Sequence, residues 1–444
     1  MILFMIIIAV FVLYWRTLDY KYLIDDIVRR WEYLYVVPEM SPPPDFFDRA
    51  PHPWRHWFLI FTHALNIWLI HSMWGWPAAL IFAFHPVNVT CTAWITGGYY
   101  SVTVFLSLAT MFFLQIYPDA VGGILGVLFY TAALGSTIVS VGLPFLYLFF
   151  FSKYGLLLLL PLALYIFGKR FNTGYKIRDL GKKDKFVWRK AALVPKVIAH
   201  YIKLAFWPAR LSFFKQYGWS YTNKKETQPI YLSFNQEFYE AVMIIGLFTY
   251  IGWQYSPIGT MLFLFGISPF SQYKLLGQFV AERYMYFPLV GFSIVLGAIL
   301  QHHPLILTAV ITLYIIKANQ YIPAFSQIDE LYKYGIKEHP DCFANYCNLA
   351  ERYLHMNELR KGSALLYYIV NRVDPDSFLA HTNLAAYWVA VKNFNQALMH
   401  TEMGLKTAGE GGIIKKVLTS QRDSIIQILT RVMEIRKKSR KGKI

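Results

Sequence analysis

Charged residues and cysteines are both scarce in this chain. Only 16% of its 444 residues are charged, whereas a soluble domain carries about a quarter, so an ordinary soluble globular protein is excluded. The three cysteines, Cys91, Cys342 and Cys347, have neither metal-ligand spacing nor the pattern of a disulfide framework. They exclude a cysteine-rich secreted scaffold and leave the redox compartment open.

Acidic residues are also few, with 26 Asp and Glu against 43 Lys and Arg, and the net charge is +17. The basic residues concentrate in a loop at 168–190 and in a C-terminal tail at 436–443. Basic clusters beside apolar segments meet anionic lipid headgroups or lipid-linked phosphates more often than nucleic acid. We therefore expect membrane lipids, and no nucleic acid, among the partners.

Long apolar runs are abundant, because 56% of the chain is hydrophobic. Several runs approach the roughly 20 residues that cross a bilayer, which predicts an all-α integral membrane bundle of about eleven spans. The first run has no basic n-region or cleavage site, so we interpret it as a retained span. The predicted segments are 1–14, 56–71, 76–95, 101–116, 120–136, 139–151, 155–167, 198–214, 238–253, 258–270, 286–300 and 304–318.

The orientation of these segments is left open by two conflicting signals. The positive-inside rule places the basic loop 168–196 in the cytoplasm. Counting spans from a cytoplasmic N-terminus places it outside, together with the first loop. Segment 198–214 is either a span or an interfacial helix, and that choice decides the side of everything after it.

The chain changes character after about residue 320, where charge rises and a repeat begins. Leu349 and Leu384 are 35 residues apart, as are Pro340 and Pro375, and Ala397 supplies a small residue for close helix packing. This period is close to the 34 residues of tetratricopeptide repeats, whose stacked hairpins form a groove for a protein or peptide. The pattern predicts a membrane domain at 1–320 and a repeat domain at 321–444, and an ordinary helical bundle is the alternative.

Asp25 and Asp26 follow the first apolar run, and adjacent carboxylates beside a span are costly to place there. One of them could act as a general base for a hydroxyl. The pair could instead hold a divalent cation against a phosphate. The structural alternative is an ion pair with Arg29 or Arg30, one helical turn further on.

Polar residues inside apolar segments form two further groups. His56, His63 and Asn66 lie one and two helical turns apart, and hydrogen bonds between helices explain such residues more often than catalysis does. His85 ends the next segment, before an uncharged polar break that indicates a re-entrant loop.

Glu282 and Arg283 form an adjacent charged pair flanked by tyrosines. Arg283 could hold a phosphate. The alternative is an interfacial anchor within an aromatic belt. The local sequence does not decide between these two readings.

These motifs occur together, and in this order, in one known arrangement. The chain resembles the GT-C class of lipid-phosphate-dependent membrane glycosyltransferases, and more closely the members with C-terminal tetratricopeptide repeats, which include the O-mannosyltransferases that modify cadherins. The segments that carry the resemblance are Asp25-Asp26, 56–66, Phe82–Pro86, Ala93-Trp94, Leu143–Phe145, Phe206–Pro208, Ala281–Phe292 and the repeats.

The resemblance implies transfer of a sugar, mannose in the animal members, from a polyprenyl phosphate to a protein hydroxyl on the extracytoplasmic face. The membrane would be a bacterial inner membrane or the endoplasmic reticulum, with the repeats on the extracytoplasmic side. Carried over, Asp25 or Asp26 is the base or a metal contact. Arg283 and the weaker candidate Lys203 contact the lipid phosphate, while Glu282 and His85 orient the reacting groups.

The second loop departs from that family. Asn88, Thr90 and 97–100 stand where bacterial relatives commonly carry a histidine and several charges, and Thr137-Ile138 replaces a lysine-containing pair. A membrane scaffold that no longer catalyses, and whose repeats recruit a protein, is therefore the alternative. A transporter fits less well, because paired interrupted segments in two related halves are not evident.

Overall fold

The computed structural model describes residues 1–23, 26, 51–117, 119–150, 152–171, 188–214, 234–271, 280–407 and 413–441. All regular secondary structure in these ranges is helical, which confirms the all-α prediction for this part of the chain. Asp25, most of the basic loop and the last three residues lie outside the described residues.

The chain divides into two compact units. The first contains 1–213 and 230–331, and the second contains 214–229 and 332–444. The division after the apolar segments falls within the helix Ile328–Glu338, further along the chain than the predicted boundary at 320.

Thirteen α-helices of the described chain lie before residue 322, in the first unit, and short 3₁₀ turns occur between some of them. In chain order they are α1 Ile2–Tyr14, α2 Trp54–Trp74, α3 Trp76–Phe84, α4 Val89–Thr92, α5 Gly98–Ile116, α6 Ala120–Ser136, α7 Leu143–Phe150, α8 Ser152–Phe171, α9 Trp188–Phe206, α10 Gln236–Tyr255, α11 Pro257–Ile267, α12 Pro288–Leu300 and α13 Pro304–Tyr321.

Local sequence explains where several of these helices begin and end. Gly75, at φ +85°, separates α2 from α3 in a conformation that residues with a Cβ rarely adopt. Pro86 cannot continue α3, so the predicted segment 76–95 is not one helix: α3 ends at Phe84, and a separate short helix, α4, follows. Asp119 begins α6, where its side chain accepts a hydrogen bond of 3.0 Å from the Gly122 backbone N–H.

Three stretches of the described chain are long and apolar enough to cross a membrane: Ile2–Asp19, Gly98–Ile116 and Pro304–Phe325. Five shorter apolar helices accompany them. The helix α9 covers only the first part of the predicted segment 198–214, because it ends just before Pro208.

Helices α11 and α12 cross at two glycines, Gly259 and Gly291. A Cβ on Gly291 would overlap the carbonyl oxygen of Gly259 and the backbone nitrogen of Phe263. Small residues allow backbones to approach this closely where two helices cross. The crossing is therefore defined by glycine rather than by interlocking side chains.

The second unit consists mainly of helical hairpins that repeat every 35 residues. The turns of both hairpins contain a residue at φ +61°, Asn357 in the first and Lys392 in the second. In the first turn the Glu358 backbone N–H donates to the Tyr353 carbonyl oxygen at 2.8 Å. In the second turn the Asn393 N–H donates to the Trp388 carbonyl oxygen at 2.9 Å. The helices are α14 Ile328–Glu338, which crosses the boundary, α15 Phe343–His355, α16 Leu359–Tyr368, α17 Phe378–Ala390, α18 Phe394–Thr407 and α19 Ile413–Lys441.

A buried histidine pair joins α17 to α18. His381 Nδ1 lies 3.0 Å from His400 Nδ1, and His381 Nε2 lies 3.0 Å from the Pro375 carbonyl oxygen. A carbonyl only accepts, so Nε2 of His381 carries a hydrogen. When both rings are neutral, His400 must donate from Nδ1 to His381. With both rings neutral the pair therefore has one defined tautomer, and Nε2 of His400 has no hydrogen-bond partner within the described residues.

We expect acidification to weaken this unit through His400. Burial, and then the neighbouring His381, lower the pKa of His400 to about 4, compared with about 6.5 in an unfolded chain. The unfolded state binds more protons between these values, so the free energy of unfolding should fall as the pH drops from about 6.5 to about 4. Thermal unfolding at neutral and acidic pH checks this, and His400→Gln should reduce the dependence. Equal pH dependence in both proteins would contradict it.

Candidate functional site

Asp26 connects the segment after α1 to the loop before α5. Its Oδ1 accepts hydrogen bonds from the Thr96 backbone N–H at 2.9 Å and from the Thr96 hydroxyl at 2.6 Å, and its Oδ2 accepts from the Leu23 N–H at 2.9 Å. The residue is 5% exposed. These three hydrogen bonds connect Asp26 to the loop that contains Thr96 and hold that loop in place. Asp25 lies outside the described residues.

Glu282 is the second carboxylate that accepts hydrogen bonds from residues distant in the sequence. One carboxylate oxygen accepts from the Ser212 backbone N–H at 2.7 Å, and the other accepts from the Thr90 hydroxyl at 3.3 Å. The side chain is almost fully buried. Glu282 therefore joins the segment after α9 to the second loop, a contact that its position beside Arg283 did not indicate.

Arg283 lies among aromatic rings. Its guanidinium carbon is 5.0 Å from the ring centroid of Tyr284, 5.5 Å from that of Phe213 and 5.8 Å from that of Trp94. The Tyr100 side chain also interacts with it. A cation over aromatic faces is stabilised by the ring quadrupoles. The arginine is half-buried, so its charge is positioned without being sealed from a ligand.

One loop brings these predicted residues together. Thr96 binds Asp26, and Trp94 lies beside Arg283, so both charged residues contact the segment 93–97. The cluster offers one positioned cation and two carboxylates that accept hydrogen bonds from backbone N–H groups. Such an arrangement suits an anionic ligand at Arg283.

Lys203 and His85 lie differently from the prediction. Lys203 is exposed, whereas Tyr201, two residues earlier on α9, is fully buried and its hydroxyl accepts from the Ala281 N–H at 3.0 Å. Residues two apart on a helix point in nearly opposite directions, which separates Lys203 from the Arg283 side. Both ring nitrogens of His85 have structural partners: Nε2 donates to the Ala205 carbonyl at 2.9 Å, and Nδ1 accepts from the Val87 N–H at 3.3 Å.

His63 and Asn66 belong to a buried network between helices. His63 Nδ1 lies 2.6 Å from the Tyr286 hydroxyl, and Nε2 lies 3.2 Å from the Ala83 carbonyl oxygen. The Asn66 amide donates to the Ser101 carbonyl at 3.1 Å and to the Tyr286 hydroxyl at 3.3 Å. The contacts match the hydrogen-bonding interpretation of these residues, since every bond is internal.

His56, on the same face of α2, is 1% exposed. Within the described residues neither ring nitrogen makes a hydrogen bond of acceptable geometry, although the Tyr20 backbone lies close to the ring. His56 is thus the most poorly satisfied of the three predicted polar residues on α2.

Sequence reasoning did not identify Thr96, Ser212, Phe213, Tyr100 or Tyr286 as parts of this site. Tyr286 and Tyr284 stood out only as aromatic neighbours of the charged pair, and the remaining residues carry no motif. In the described part of the chain, no group of three or more His, Cys, Asp and Glu side chains could hold a metal ion. Metal binding by Asp25 and Asp26 stays a prediction.

Comparisons of the chain with protein-family models, with curated proteins and with solved structures found no match.

Proposed function

We propose that this chain is an integral membrane glycosyltransferase, which transfers a mannose-like sugar from a polyprenyl-phosphate donor to a protein hydroxyl on the extracytoplasmic face. The observation that carries the proposal is the loop 93–97, which contacts Asp26 through Thr96 and Arg283 through Trp94. A carboxylate segment and a cation that contact the same loop are what the reaction requires.

The first unit is proposed to be a GT-C-like bundle of about eleven spans in a bacterial inner membrane or the endoplasmic reticulum. Large apolar side chains on its outer surface support this. On α6, Val121, Ile124 and Leu128 are 57%, 62% and 60% exposed. Exposed apolar rows of this kind fit lipid contact better than water.

The second unit is proposed to be a tetratricopeptide-repeat domain that binds the protein acceptor on the extracytoplasmic side. The 35-residue period of its helices and turns supports this assignment. Gly362 and Ala397, also 35 residues apart, place a small residue at the same point in the second helix of each hairpin. Stacked hairpins of this size form concave binding surfaces.

In this proposal Asp25 removes the proton from the acceptor hydroxyl, because Asp26 is occupied by Thr96 and Leu23. The hydroxyl oxygen bonds to the anomeric carbon as the bond to the phosphate oxygen breaks. Arg283 then stabilises the negative charge on the departing polyprenyl phosphate. In the alternative role, in which Asp25 is a metal ligand and not the base, a divalent cation would supply the same charge stabilisation.

The test is sugar transfer from a polyprenyl-phospho-sugar by the purified full chain. Arg283→Ala should lower kcat/KM by roughly 10²–10³, the usual effect of losing one charge-stabilising donor. Arg210→Ala, at an exposed arginine of the same unit, is the matched control and should have little effect. Unchanged transfer in Arg283→Ala would refute the phosphate role. Unchanged transfer in Asp25→Asn/Asp26→Asn would remove both carboxylates from the mechanism.

A catalytically degenerate scaffold is the second candidate. It is favoured by the protein donors that already occupy Asp26 and Glu282. In cells lacking the chain, Arg283→Ala would restore function if the protein is a scaffold and would fail to do so if it is an enzyme. Matched expression of the variant and the unaltered chain is the necessary control.

A further inference from the structure

The C-terminal helix α19 extends beyond the part of the second unit that covers it. It runs from Ile413 to Lys441, 29 residues. Leu418 and Ile425 in its first half are 0% and 2% exposed. In its second half, Ile428 and Met433 are 37% and 60% exposed. The helix therefore begins as a packed element and continues with Ile428 and Met433 exposed.

The uncovered side chains continue the packed face. At 100° per residue, the positions of Ile428, Leu429 and Met433 fall on the same half of the helix as Leu418 and Ile425. The opposite half is polar in this stretch, with Gln427, Thr430, Arg431 and Glu434. Among the described side chains of this apolar face, Leu418 and Ile425 are buried, whereas Ile428 and Met433 are exposed.

Most of a helix's stability in a protein comes from packing of its amphipathic face. The apolar half of 426–434 consequently needs a surface to cover it. The residues that follow indicate that this surface is negatively charged, because 436–444 contains six basic residues and no acidic one. The partner must be apolar and negatively charged at the same place.

We propose that residues 426–441 of α19 dock on the surface of a bilayer that contains anionic lipids. Exposed apolar side chains such as Met433 would enter the boundary between headgroups and acyl chains, as in other interfacial helices. Each basic residue near such a surface adds electrostatic attraction to the headgroups. A second copy of α19 fits less well, because parallel pairing would bring the two basic ends together.

This docking does not depend on sugar transfer. It requires only that the apolar helices of the first unit hold the chain at a membrane, where lipid headgroups are available at high local concentration. The C-terminal helix would then act as a second, reversible membrane contact, whose strength depends on the lipid composition.

The test places an environment-sensitive fluorophore on the full chain in lipid nanodiscs. Met433→Cys reports from the apolar half, and Gln427→Cys, also exposed, is the matched control on the polar half. Cys91, Cys342 and Cys347 are buried, so background labelling should be low. In discs of phosphatidylcholine with phosphatidylserine, emission from position 433 should shift to the blue relative to pure phosphatidylcholine, and position 427 should shift less.

Added salt should reduce the shift, because it screens attraction to the headgroups. Lys437→Gln/Lys438→Gln should also reduce it while leaving the helix intact. Equal emission in the two kinds of disc would overturn the proposal. A shift that follows protein concentration and not lipid charge would assign the face to a second copy. A shift only on addition of an acidic peptide would assign it to a protein partner.

Discussion

Gly291→Ala should prevent α11 and α12 from packing and should sharply reduce the amount of folded protein. A methyl group at this position meets the backbone of α11 at Gly259 and Phe263, not a side chain that can rotate away. Overpacking a core usually costs about 1–3 kcal/mol, and we expect a loss at or above the upper end because whole helices must separate. Thermal unfolding of the detergent-solubilised chain measures the effect.

Gly246→Ala is the matched control for that experiment. Gly246 lies within α10, and a Cβ built there meets nothing within 4 Å. Alanine is favoured over glycine in a helix by about 0.8–1.0 kcal/mol, so this variant should be as stable as the unaltered chain or slightly more stable. Equal melting temperatures for Gly291→Ala and Gly246→Ala would show that the close crossing of α11 and α12 is absent.

The repeat of the second unit could be predicted from the sequence because it recurs locally. Leu349 and Leu384 are both buried, and the 35-residue spacing of prolines and leucines reappears in helix bounds and turns. The left-handed turn residues could not be predicted. Asparagine, as at Asn357, is common at positive φ. A lysine, as at Lys392, is unusual there. The surrounding hairpin determines the turn at Lys392.

The first unit shows the opposite case, because its functional contacts join distant parts of the sequence. Asp26 binds Thr96, and Glu282 binds Ser212 and Thr90. Sequence neighbours suggested Arg283 as the partner of Glu282, whereas the suggested ion pair with Arg29 or Arg30 involves residues outside the described ranges and stays a prediction. Local spacing identifies candidate charged residues, whereas tertiary contacts decide what each carboxylate binds.

Backbone geometry explains why neighbouring residues in the sequence can have different roles. Glu282 and Arg283 begin a short 3₁₀ turn, Glu282–Met285, in which successive side chains point about 120° apart. The glutamate therefore turns inward to Ser212 while the arginine lies among aromatic rings. On α9 the same reasoning separates buried Tyr201 from exposed Lys203.

Glu282→Ala should destabilise the first unit strongly. The substitution removes the acceptor for the Ser212 N–H and the Thr90 hydroxyl, both in a buried setting. Hydrogen bonds to charged groups contribute about 1.5–3 kcal/mol each, and we expect a loss of about this size from the Ser212 N–H alone, because the Thr90 hydroxyl can still donate to the Val87 carbonyl. Glu282→Gln keeps one good acceptor oxygen and should lose less. Thermal unfolding of the two variants measures the difference.

The same two variants separate a structural role of Glu282 from the orienting role that the sequence suggested. If Glu282 acts by holding the second loop, Glu282→Gln should retain both stability and sugar transfer in good part, and Glu282→Ala should lose both together. If it acts by orienting Arg283, Glu282→Gln should lose transfer while its melting temperature stays close to that of the unaltered chain. The hydrogen bonds to Ser212 and Thr90 favour the first result.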